Sequence, residues 1–114
     1  MPERFYHYTS RANAQDIIAS GTILPGRGGR IYLTDHRYET GAEAARRLSI
    51  IGKVVEVVCV VPPEKVDRAF PEDGRYVERL LMREVVARPG CGTEWYTETP
   101  IEVSDCEWLE LEAP

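Results

Sequence analysis

The chain has 114 residues, 43% hydrophobic and 29% charged, which suits one globular domain over 1–114 and leaves too little surface for a second core. Its net charge of −5 argues against attraction of the whole molecule to a phosphate backbone. The longest apolar run, Val54 to Val61, is too short for a membrane span, and Met1-Pro2-Glu3-Arg4 lacks the form of a secretory signal, so a cytoplasmic location is expected.

Phe5 to Tyr8 reads as a first strand, after which Thr9 or Ser10 caps a helix over 11–20 with Ala14, Ile17 and Ile18 on its apolar face. Gly21 supplies the left-handed residue that ends it. Gly26-Arg27-Gly28-Gly29-Arg30 has the composition of a phosphate nest but no Walker lysine, and reads as a turn. A short strand over 31–34 follows. Thr40 and Glu43 then form a capping box for a helix over 40–49, whose small Ala44 and Ala45 allow close approach to a sheet.

The valine-rich segment 53–61 is expected to be a central strand, stopped by Pro62-Pro63. Residues 64–74 look irregular. Residues 75–87 read as a short helix or turn leading into a strand over 82–86, and 89–92 as a turn. Strands over 93–97 and 106–111 complete an α+β pattern, the last with Cys106 and Trp108 on one face and Leu109 and Leu111 on the other.

Side chains able to do chemistry are few. Cys59, Cys91 and Cys106 lack metal-ligand spacing, His7 and His36 lie far apart in sequence, and no metal site is expected. Cys59 reads as core. Phe5, Trp95, Tyr96 and Trp108 read as core and edge packing. His7 and Tyr32 sit in short apolar–polar segments that can turn one polar ring toward a cleft. Arg4, Arg11, Arg27, Arg30, Arg37, Arg46, Arg47 and Lys53 make the first half locally basic, a patch that could hold a dinucleotide or equally be solvated surface.

Tyr6-His7-Tyr8-Thr9-Ser10, Gly29-Arg30-Ile31-Tyr32-Leu33-Thr34, the valine strand with Pro62-Pro63, and Glu94-Trp95-Tyr96-Thr97 through Ile101 occur in an order with a known parallel. The sequence resembles the small diphtheria-toxin-like ADP-ribosyltransferases, both the toxin domains with a histidine-tyrosine-acid signature and the rifampin ADP-ribosyltransferases. The resemblance implies a compact fold with a split, strongly bent β-sheet and two short helices in the N-terminal half. It implies NAD-dependent mono-ADP-ribosyl transfer, or NAD glycohydrolysis when water is the acceptor.

By that resemblance His7 bonds an NAD ribose hydroxyl, the backbone around Tyr8 and Thr9 anchors the nicotinamide amide, and Tyr32 stacks on the nicotinamide ring, with Tyr38 over its other face. The acid is Glu94 or Asp67, with Glu94 favoured and Glu98 third. No metal is needed. The acceptor is a protein, nucleic-acid or small-molecule group. A toxin of this kind would act as an effector delivered into a target-cell cytoplasm and would have a cognate immunity protein. Two other classes compete: a non-enzymatic interaction module of the same fold, and a small RNA-processing enzyme using His7 and His36 as general acid and base. An acidic chain without a visible aromatic-basic strip argues against the RNA enzyme.

Overall fold

A computed structural model describes residues 2–26, 28–48, 54–72 and 94–112. The chain begins with strand β1 (Phe5–Thr9) and helix α1 (Arg11–Ser20), followed by strands β2 (Thr22–Ile23) and β3 (Ile31–Thr34). Helix α2 (Gly41–Arg47) and strand β4 (Val57–Val61) come next, then a 3-10 turn at Pro63–Lys65 and strand β5 (Phe70–Glu72). Strands β6 (Glu94–Thr97), β7 (Ile101–Glu102) and β8 (Glu107–Glu110) close the order.

Both helices start where side-chain oxygens replace missing backbone acceptors. Ser10, rather than Thr9, caps α1 by accepting from the Asn13 N–H, while Thr9 Oγ1 accepts from Asn13 Nδ2 at 2.7 Å. Thr40 Oγ1 accepts from the Glu43 N–H at 3.1 Å and opens α2. Gly21, at φ 75°, ends α1 with its N–H on the Ile17 carbonyl, the conformation that lacks a Cβ penalty only in glycine.

Six strands form one antiparallel sheet in the order β5-β6-β3-β1-β4-β8, and β2 pairs separately with β7. β1 is central because Phe5 to Thr9 pair with Val61 to Val57 on one side, while Tyr6 pairs with Thr34 on the other. Strand alternation divides the side chains between two faces. Phe5, Cys59, Val61, Ile31 and Leu33 join Ile17, Ile23, Ile101 and Val103 in one buried cluster, with Trp95 and Trp108 packed against it. On the other face Tyr8 and Val58 join Tyr38, Ala44 and Val55.

α2 approaches very closely. A Cβ built on Gly41 would lie 1.8 Å from the Val55 carbonyl oxygen, so only glycine admits this contact.

The α+β class and the two helices are present, but the strongly bent, split sheet is not. Within the strands the ladders run at constant register, from Phe5↔Val61 to Thr9↔Val57 and from Ile31↔Thr97 to Thr34↔Glu94. Among the described residues, none of the strands contains a glycine. Sharp bending requires bulges or glycine kinks, and these strands supply neither.

Other boundaries differ too. The valine strand begins at Val57, although the Glu56 N–H still donates to the Thr9 carbonyl at 3.0 Å; Val55 packs with Ala44 and Tyr8, and residue 53 lies outside the described residues. The stretch expected to be irregular contains β5, which Phe70↔Tyr96 pairing holds in the sheet. The expectations for 75–87 and 89–92, and Cys91, lie outside the described residues.

Candidate functional site at the seam between β1 and β3

β1 and β3 share one register pair, Tyr6↔Thr34. Beyond it the contact is made by a side chain: His7 Nδ1 lies 3.0 Å from the Tyr32 carbonyl oxygen, across 25 residues of sequence. A carbonyl oxygen only accepts, so Nδ1 carries the proton and a neutral ring leaves Nε2 as an acceptor. His7 is half-buried, and its desolvation holds the pKa below the ordinary 6.5 against the opposing pull of the Tyr32 carbonyl. Near neutral pH the ring is therefore uncharged, with Nδ1 committed to the fold and an acceptor lone pair on Nε2.

Tyr32 lies on the opposite face by alternation, with Thr34 and Tyr6. The His7 ring and the Tyr32 ring thus flank the seam rather than line one wall, and the Tyr32 backbone is where they meet. Tyr32 is directly opposite Tyr96, with ring centroids 6.4 Å apart and tilted by 54°. Glu94 is opposite Thr34, so its half-buried carboxylate shares the Tyr32 face as a diagonal neighbour, about 7–8 Å across the ladder. Phenol and carboxylate thus share one face along β3 and β6, while the imidazole lies on the other face and reaches them only through the Tyr32 backbone.

The remaining candidates are placed differently. Asp67 is exposed and presents its backbone to the fold, its carbonyl accepting from Thr97 Oγ1 at 2.6 Å. Thr97 is at the opposite end of β6 from Glu94, so the two candidate acids are not interchangeable. Glu98, four residues after Glu94, would share its face in a longer strand, but β6 ends at Thr97 and Glu98 lies exposed beyond it.

Tyr8 is a structural side chain. Its hydroxyl donates to the His36 carbonyl at 3.1 Å and accepts from the Tyr38 N–H at 2.6 Å. Burial pushes its pKa up to about 12, against the lowering effect of the Tyr38 N–H. Its backbone pairs with Val58. Thr9 is buried and bonded to Asn13. Tyr38, 2% exposed, packs against Tyr8 and His36, with centroids 5.5 and 4.7 Å away. His36 supports this loop, its N–H donating to Thr34 Oγ1 at 3.3 Å.

Of the basic residues, Arg11 is held by Glu56 and Glu110 on the rim of β4 and β8. Arg30 is placed over the Tyr96 ring, its guanidinium carbon 4.0 Å from the centroid. Tyr96 is therefore not simple core packing. It stands between Tyr32 and Phe70, and the Glu94-Trp95-Tyr96 alternation was the signal, with Trp95 turned to the core and its neighbours to the other face.

Cys59 is fully buried, and desolvation, with Cys106 adjacent, pushes its thiol up to about 12, which suits core packing. Among the described residues, no group of three His, Cys, Asp or Glu side chains is arranged to hold a metal ion, and no helix is long and apolar enough to cross a membrane.

Comparison with known proteins gives no match: no family model, no curated protein and no solved structure is similar to this chain at a significant level.

Proposed function

We propose that this chain is an NAD-dependent mono-ADP-ribosyltransferase whose site is the seam between β1 and β3. The observation that carries the reading is the bond from His7 Nδ1 to the Tyr32 carbonyl, which ties together two residues singled out independently of it. His7 Nε2 accepts a ribose hydroxyl in this reading, and its lowered pKa keeps that lone pair available near neutrality. The Tyr32 ring offers its face to a cationic nicotinamide, which it favours over the neutral product.

Cleavage of the nicotinamide–ribose bond develops positive charge on the sugar. Glu94, on the Tyr32 face, is the carboxylate that stabilises this charge and takes the proton of the attacking group. Its location on that face supports it over Asp67, whose tie to the fold is at the other end of β6. The donor set suits NAD as substrate and requires no metal. The acceptor is a protein, nucleic-acid or small-molecule nucleophile, and a toxin acting this way would have an immunity partner.

The test is NAD binding by calorimetry together with nicotinamide release by the purified chain. Glu94→Gln should slow release by about 30- to 1,000-fold, the cost of losing one preorganised electrostatic contact, while Asp67→Asn stays near the parent rate. Absence of both NAD binding and nicotinamide release sinks the proposal. Equal losses in the two variants remove Glu94 from its role.

A further inference from the structure

Three rings from separate segments form a row on the sheet face that carries Tyr32. Tyr32 pairs with Tyr96 across β3 and β6, and Tyr96 pairs with Phe70 across β6 and β5. The centroids are 6.4 and 5.3 Å apart, and the Phe70 and Tyr96 planes are inclined by only 31°. Phe70 is 42% exposed, Tyr32 and Tyr96 are half-buried, and among the described residues neither buried cluster includes any of the three. The Arg30 guanidinium lies over Tyr96, adding a cation to the π surface.

We propose that the Tyr96–Phe70 end of this row is a stacking platform for unpaired nucleobases, Tyr32 being left to the nicotinamide, which makes single-stranded nucleic acid the acceptor-bearing partner; the partner assignment rests on the transferase reading. Stacking explains how an acidic chain can bind a polyanion. Every base has a π face, and aromatic rings beside an arginine recognise it without a broad positive field. The strip that the linear sequence lacks is assembled from Arg30, Phe70 and Tyr96 only when β3, β6 and β5 become neighbours. Because one guanidinium stands on the row, binding should depend weakly on salt, with a log–log slope of about −0.7 for one phosphate contact.

Binding is measured by fluorescence anisotropy with labelled single-stranded RNA, single-stranded DNA of the same sequence, and the corresponding duplex, all without NAD. Single strands should bind and the duplex should bind at least tenfold more weakly, because its bases are already stacked. Phe70→Ala and Phe70→Leu should each weaken single-strand binding about tenfold, the worth of one stacked base. Phe70 is partly exposed, and leucine retains its apolar volume while deleting the π face, so the pair separates stacking from folding.

No binding to single strands, equal binding to the duplex, or unchanged binding by both variants overturns the platform. Nicotinamide release measured without oligonucleotide keeps the two readings apart. Release without oligonucleotide binding defeats the platform alone, and oligonucleotide binding without release or NAD binding defeats the transferase.

Discussion

Replacing His7 by asparagine and by alanine separates its two proposed jobs. Asparagine carries an N–H donor at nearly the position of Nδ1, so it keeps the bond to the Tyr32 carbonyl but places nothing at Nε2. Alanine removes both. Losing the bond costs about 1 kcal/mol, and up to about 3 kcal/mol if the carbonyl is left dry. For a domain of this size that is a drop in melting temperature of about 4–12 °C. His7→Asn should melt within a few degrees of the parent, while both variants release nicotinamide about 30- to 1,000-fold more slowly.

Acidification provides a second readout. The folded-state pKa of His7 is lowered, so its contribution to stability is complete above the ordinary 6.5 and is lost as pH falls from there through the folded value. Nicotinamide release should fall with a midpoint below 6.5, because the charged ring has no acceptor at Nε2. Scanning calorimetry and a release assay across pH 4–8 follow both. If the asparagine and alanine variants melt together well below the parent, the Nδ1 bond does not hold the seam. If His7→Asn works at the parent rate, Nε2 has no part in the reaction.

Two further outcomes test the frame that positions the seam. Gly41→Ala should destabilise the fold by roughly 1–3 kcal/mol or more, because its Cβ would meet the Val55 carbonyl at 1.8 Å and backbone must move; urea unfolding checks this. Tyr8→Phe should cost about 1–3 kcal/mol, leaving the Tyr38 N–H and His36 carbonyl without the hydroxyl that now bridges them. An unchanged denaturation midpoint in Tyr8→Phe would contradict a buried, bonded phenol.

Much of the local structure was legible because it is set by neighbours in sequence. Ser10 and Thr40 cap helices through residues three positions on, and Gly21 ends α1 by its own backbone freedom. The alternation of β1 announced a strand and the valines of β4 a central one.

Non-local packing decided the rest. Gly41 looks like an ordinary early helix residue, and only the Val55 carbonyl makes it indispensable. Tyr96 and Trp95 are adjacent aromatic residues in the sequence, but strand alternation sends one to the core beside Phe5 and the other to the row with Tyr32. Sequence by itself determined both helices and the longer strands, though not β2, β5 or β7, and put His7, Tyr32, Glu94 and Asp67 forward as candidates. Tertiary structure decided that the His7 ring ends on the Tyr32 carbonyl and that Glu94 shares the Tyr32 face, because ladder register relates residues distant along the chain.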